Sequence, residues 1–251
     1  MVFDSADAYG RFMGRFSEPL ALTFVEFAAL RESSRVLDVG CGPGVLTHVL
    51  VDRFGTDAVA AIDPSAPFVD AARSRLPGVE IKVASAEDLP YAEDSFDAAL
   101  AQLVVHFMTD PVQGLREMAR VTRPGGVVAA CVWDHAGGRG PLSHFWSAVR
   151  ALDDHATDES AMAGAQAGSL RRLFEQAGLS DVDEVSLDVT VGFTSFEDWW
   201  EPYTMGVGPA GDYVASLGPE TVRRLSEACR ARLPDGAFEL TVSAWAARGR
   251  A

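Results

Sequence analysis

The stretch Arg35-Val36-Leu37-Asp38-Val39-Gly40-Cys41-Gly42-Pro43-Gly44-Val45-Leu46 decides the fold. A short β-branched and apolar run opens it, as a buried strand requires. Three glycines follow, separated by single residues. Val45, Leu46, Val49 and Leu50 then recur at helical spacing. The order is strand, tight turn, helix. Glycines in such a turn let the backbone approach a ligand closely, and the helix N-terminus offers amide donors and a positive dipole end.

Outward from this stretch, strands and helices alternate. Strands are expected at 35–39, 58–62, 79–84, 96–101 and 127–133, with helices at about 45–53, 66–76 and 110–122. Ser65 is positioned to cap the second of these helices. Asp110-Pro111 supplies an N-cap and a first-turn proline for the third. Pro124-Gly125-Gly126 turns the chain into the apolar strand that ends at Trp133. Such alternation predicts a parallel sheet covered by helices on both faces. Before it, a helix is expected to follow Pro19, with Leu20, Phe24 and Phe27 on one face. After it, helices are expected at about 142–153 and 169–178, and a mobile stretch at 154–168. An antiparallel edge strand is read over 181–193, helices over 194–236, and a strand over 238–247.

The full expectation is an α/β, doubly wound, mostly parallel seven-stranded sheet of Rossmann-like type. Its last strand is antiparallel, with a helical lid inserted before it. The units are an N-terminal arm and helix (1–34), the core (35–193), the lid (194–236) and the closing strand (237–251).

Composition narrows the partners. The chain has 251 residues, 48% of them hydrophobic, and a net charge of -15. That field repels phosphate backbones and anionic bilayers, so neither nucleic acid nor a membrane is an expected partner. Lys82 is the only lysine. Cys41, Cys131 and Cys229 match no metal-ligand spacing, and no metal is expected. Free thiols and the lack of a basic, then apolar, leader point to the cytoplasm. Either a monomer or a homodimer is compatible with the pattern.

Two glycine-turn chemistries compete. A dinucleotide fingerprint needs glycine at the sixth position of G-x-G-x-x-G, where this chain has Val45. Asp38, Gly40, Gly42 and Gly44 instead resemble the first motif of class I S-adenosylmethionine-dependent methyltransferases. Further motifs follow in order: Asp63-Pro64-Ser65 after the second strand, Ala84 to Pro90 after the third, and Ser95-Phe96-Asp97 leading to Gln102. Pro124-Gly125-Gly126 completes the set. Within that family the chain is most similar to the small-molecule branch that includes quinone-biosynthesis methyltransferases.

The resemblance implies a cofactor, S-adenosyl-L-methionine, held by Asp38, Gly40, Cys41, Gly42, Asp63, Pro64, Ser85, Ala86, Glu87 and Gln102. Asp63 is placed to accept both ribose hydroxyls, the alternative being a helix cap. Ser85, Ala86 and Glu87 are expected near the adenine, although family members often carry aspartate at the place of Ser85. The methionine carboxylate is expected on the amides of the glycine turn and at the positive end of the first helix. Arg15 or Tyr9 is expected to fold over the cofactor. His106 is the candidate general base, ahead of His135 and His144, because imidazole titrates near neutrality. The implied reaction is in-line methyl transfer to a small acceptor of apolar or aromatic character.

Aromatic groups after the fifth strand (Trp133, Phe145, Trp146) and the sixth (Phe193, Phe196, Trp199, Trp200, Tyr203) are read as lid core, with a minority lining an acceptor pocket. Met205 to Pro209 is read as the tip of the lid. The competing functions are a non-catalytic S-adenosylmethionine-binding regulator or degenerate paralogue, and an NAD-dependent reductase.

Overall fold

The computed structural model describes residues 10–153, 155–206 and 208–251. Its centre is β1 (Val36–Val39), with all four residues buried. On one side lie β2 (Val59–Asp63) and β3 (Glu80–Val83), and on the other β4 (Phe96–Gln102) and β5 (Thr122–Trp133). The sheet order is β3-β2-β1-β4-β5-β7-β6, with β6 over Ser180–Phe193 and β7 over Phe238–Arg250. β1 to β5 are parallel, and β7 runs antiparallel to both its neighbours. The expected seven-stranded α/β sheet with an antiparallel last strand is therefore present. The chain leaves β1 toward β2 and β3, then returns across it to β4. That reversal opens a crevice at the carboxyl ends of β1 and β4.

Period-2 alternation splits the sheet residues between two layers. Val36 packs in the cluster that contains α1 (Arg15–Ala28) and α2 (Val45–Phe54) through Leu20, Phe24, Leu46 and Leu50. Leu37 and Val39 pack on the other face against α4 (Pro111–Val121) and α6 (Ser169–Ala177), through Leu115, Met118, Leu170 and Phe174. α3 (Ala66–Arg75) covers the β2–β3 edge through Val69 and Ala72. α5 (Ser143–Leu152) follows β5. α7 (Phe196–Trp200), α8 (Gly208–Ser216) and α9 (Pro219–Arg230) lie between β6 and β7. No helix among the described residues is long and apolar enough to cross a membrane.

Four local expectations are corrected. α1 starts at Arg15, after a π-turn over Gly10–Gly14, so Pro19 sits inside the helix. Burial of Phe16, Leu20 and Phe24 outweighs the hydrogen bond that proline removes. Ser65 occupies the N-cap of α3 but makes no side-chain cap bond. A capping serine reaches the N2 or N3 amide, and N2 is Pro67, which has none. β5 begins at Thr122. Its register with β4 shifts from Phe96↔Thr122 to Ala98↔Val127, so Pro124-Gly125-Gly126 forms a bulge inside the strand. Finally, the 154–168 stretch, outside Asp154, is packed in part, with His155, Thr157, Ala161, Gln166 and Ala167 exposed. Asp158 accepts from the Ser160 amide to start a 3-10 turn, and Glu159 and Ala165 are buried.

Phe24 is fully buried where α1 meets the sheet. Replacing it with alanine is expected to cost about 3–5 kcal/mol, as for other large aromatic core deletions. A fall in the urea midpoint at unchanged m-value checks this. A near-neutral result would make α1 a detachable arm.

Candidate functional site

The glycine turn lies at the head of β1. Gly40 has φ +75°, and a Cβ there would stand 2.5 Å from Val104 Cγ2. Only glycine lets the chain after β4 come that close. Gly42 has φ +53°, and a Cβ there would enter open space. The Gly40 and Cys41 amides both donate to Ile62 O at 2.8 Å, and Gly44 donates to Cys41 O at 3.0 Å. Gly42 donates to Asp63 Oδ2 at 2.8 Å. The turn amides are thus engaged within the protein, so of the two places expected for a ligand carboxylate the helix end is the one left open. The amides that open α2, from Val45 on, have no intrahelical acceptor. They lie at the positive end of the helix dipole, and the Thr47 amide among them is turned to Asp38.

Two carboxylates flank the turn. Asp38 is 1% exposed, and its Oδ2 accepts from Thr47 Oγ1 at 2.6 Å. Burial raises its pKa to about 7, with neighbouring Asp63 adding repulsion. Asp63 is also buried. Its Oδ1 accepts from the Ser65 amide at 2.8 Å while Oδ2 holds Gly42. Burial raises its pKa, and those two amides pull it back. Asp63 therefore has a structural task beyond the one read from the sequence, and each oxygen keeps a second lone pair.

These groups line one cleft of about 790 Å³. Asp38, Gly40, Cys41, Gly42, Asp63, Pro64 and Gln102 all face it, together with His106. Gln102 donates from Nε2 to Ser17 O at 2.9 Å, and its buried Oε1 has no partner. Sequence reading missed Ser17, Phe68 and Met162, which also line the cleft. Each comes from a segment without a motif. Leu103, next to Gln102, has φ +61°, a strained conformation for a branched residue and one often found at sites.

Other expected contacts lie elsewhere. Arg15 pairs with Asp198 at 2.7 Å and sits 5.2 Å over the Phe193 ring, away from the cleft lining. Tyr9 lies outside the described residues. Ser85, Ala86 and Glu87 are not in the cleft lining either. Glu87 bonds Ser85 Oγ and accepts from the Thr109 amide at 2.8 Å, while Ala86 is buried in the core. The segment fastens the loop after β3 to the start of α4.

His106 stands where the cleft meets a second, inner pocket of about 60 Å³. That pocket is mainly apolar, with Phe12, Met13, Leu103, Trp133 and Leu142 among its walls. Burial lowers the His106 pKa to about 3, with His135 reinforcing it, and burial lowers His135 to about 4. Both rings are neutral at physiological pH. His106 Nδ1 has no partner. His144 is absent from both cavities.

Of the aromatic groups, only Trp133 reaches the inner pocket. The others pack on one another, with Phe145 stacked on Tyr203 at 4.7 Å and Trp199 at 4.7 Å from the same ring. Their burial between α5 and the helices before β7 is what a large apolar area favours. Gly208 and Pro209, from the expected lid tip, do line the pocket, while Val207 is outside the described residues.

Two substitutions test the local physics. Gly40→Ala must displace Val104 as well as adopt positive φ, whereas Gly42→Ala carries only the roughly 1–2 kcal/mol cost of left-handed backbone. The denaturation midpoint is expected to fall clearly further for Gly40→Ala, and equal losses would contradict the close approach. Asp38→Asn tests the buried charge. A carboxyl whose folded pKa is raised favours the fold below its unfolded value of 3.8, and that contribution is lost as pH rises toward about 7. The asparagine variant should melt above the parent at pH 8, by about 2–4 °C per kcal/mol relieved, and the gap should close near pH 4. A lower melting temperature at pH 8 would show that the Asp38 charge supports the fold.

Comparison with known proteins agrees with this geometry. Residues 37–130 match the family described as methyltransferase domain. The chain is 40% identical over 116 residues to an uncharacterized methyltransferase of Mycobacterium tuberculosis, covering 46% of this chain and 45% of that one. It is 34% identical over 157 residues to the malonyl-[acyl-carrier protein] O-methyltransferase of Salmonella typhimurium, covering 60% of each. It thus spans between 45% and 60% of the length of these curated relatives. A solved structure of a putative methyltransferase from an antibiotic biosynthesis pathway of Anabaena variabilis shares the fold. Its TM-score is 0.63 at 16% identity, covering 93% of this chain and 97% of that one. Residues 37–130 are thus similar to a methyltransferase domain, and the chain shares its seven-stranded fold with solved methyltransferase structures.

Proposed function

We propose that this chain transfers the methyl group of S-adenosyl-L-methionine to a small-molecule acceptor. The observation that carries the reading is the meeting of the glycine turn, the α2 N-terminus, Asp38 and Asp63 in one cleft at the β1–β4 switch point. The cleft volume falls in the range of small-molecule and cofactor sites.

The residues fit the cofactor group by group. Asp63 keeps lone pairs for the ribose hydroxyls. The open space over Gly42 admits the ligand against bare backbone. The first-turn amides of α2 suit a carboxylate, and the buried Asp38 carboxyl suits an ammonium. Gln102 Oε1 is a buried acceptor awaiting a donor. When bound, the cofactor supplies a methyl carbon already activated by a sulfonium. The chain's own task is then to hold the acceptor in line and to exclude water. His106, neutral at the junction of the two cavities, orients the acceptor by accepting a hydrogen bond. A proton taken by a ring with so low a pKa is held weakly, so the earlier base assignment narrows to this positioning role. The Salmonella relative supports methyl transfer as the chemistry, and its acceptor is not carried over.

Isothermal calorimetry tests the reading. S-adenosylmethionine and S-adenosylhomocysteine should bind and NADH should not, and NADH binding in their place would overturn the proposal. Asp63→Asn should weaken S-adenosylhomocysteine binding by about 1.5–3 kcal/mol, the range for hydrogen bonds to a charged group. Unchanged affinity would remove the ribose assignment.

A further inference from the structure

The inner pocket contains a residue that no motif marks. Glu159 lines it at 4% exposure, and neither of its carboxyl oxygens has a hydrogen-bond partner among the described residues. The Glu159 backbone N–H and the Trp146 indole N–H both approach the carboxyl and favour its ionised form, without reaching full hydrogen-bond geometry. A buried carboxyl without a partner is costly and calls for an explanation. Across the same pocket, His106 Nδ1 is also unpartnered. Apart from the neutral His135 imidazole, the remaining walls are apolar or aromatic.

We propose that Glu159 is the specificity-determining residue for the acceptor, receiving an N–H or O–H donor from an apolar amine or phenol and rejecting carboxylates. The inference rests on the methyltransferase reading, since it assigns the inner pocket to the acceptor. The pocket has room for a polar head of a few heavy atoms. The body of the acceptor extends past Leu103 and His106 into the cleft, since both residues line both cavities. A donor placed at Glu159 replaces the hydration that burial removed. A carboxylate there would add a second desolvated negative charge.

Burial raises the Glu159 pKa to about 7. The charged and titratable groups around it are few. Asp158 is paired with Arg150, and its pKa lies below the usual range. His106 and His135 are neutral above pH 5. Tyr203 is pushed well up by burial. Glu159 is therefore the pocket group that changes charge between pH 6 and 8. Ionised Glu159 accepts, so donor binding should tighten as pH rises through about 7.

The test uses phenethylamine, p-cresol and phenylacetate, three molecules of similar apolar body with different heads. Their binding to the protein saturated with S-adenosylhomocysteine is followed by calorimetry. The amine or the phenol should bind at least tenfold more tightly than phenylacetate, and which of the two leads identifies the head. In Glu159→Gln that preference should collapse and the rise between pH 6 and 8 should flatten, while S-adenosylhomocysteine affinity stays within twofold. The variant should also melt no lower than the parent, because it removes an unpaired buried charge. Phenylacetate binding as well as the others, a preference retained in the variant, or no probe binding at all would each overturn the proposal. Failure of S-adenosylhomocysteine itself to bind would instead overturn the functional reading beneath it.

Discussion

One carboxylate ties the two halves of the crevice together. Asp63 ends β2, and its two oxygens hold the amide of Gly42, in the turn after β1, and the amide of Ser65, at the head of α3. The two loops that shape the cleft are thereby fixed to each other by charge-assisted bonds, which are stronger than neutral ones. Gly40 completes the constraint from the other side by letting Val104 close on the turn. The cleft is consequently preorganised by the backbone, and ligand binding has less ordering entropy to overcome.

The cleft and the inner pocket together are rich in buried acidity. Asp38, Asp63 and Glu159 are each buried, and burial raises the pKa of all three. A fold that keeps such groups gives up stability at neutral pH, which is common where function needs unpaired charge. The same acidity would attract a sulfonium and an ammonium, and it opposes polyanions at the site as the net charge of the chain does at long range.

The parallel strands and the glycine turn were legible because each has a local cause. Buried parallel strands read as apolar runs, and a strand-to-helix turn of this shape needs glycine where φ is positive. Asp63 was legible from its place at a strand end, though not its double duty, which depends on where Gly42 comes to rest. Glu87 and Arg15 were misplaced because a charge near a motif says nothing of its partner. Here Thr109 and Asp198, more than twenty residues away, decide their directions. Glu159 was invisible for the opposite reason. It stands in a small-residue stretch with no periodicity, and only packing beneath Trp146 and Tyr203 gives it a site.

The position of β7 bears on how the molecule is made. This strand follows every other strand in the chain, yet it lies between β5 and β6. Until it arrives, the flank of β5 is an open edge able to pair with another chain, and β6 has no partner in the sheet. Its pairs with β5 span more than a hundred residues, contacts that close slowly. During synthesis the strands of the parallel half all leave the ribosome before β7. A nascent chain lacking β7 therefore carries a sheet edge to be shielded.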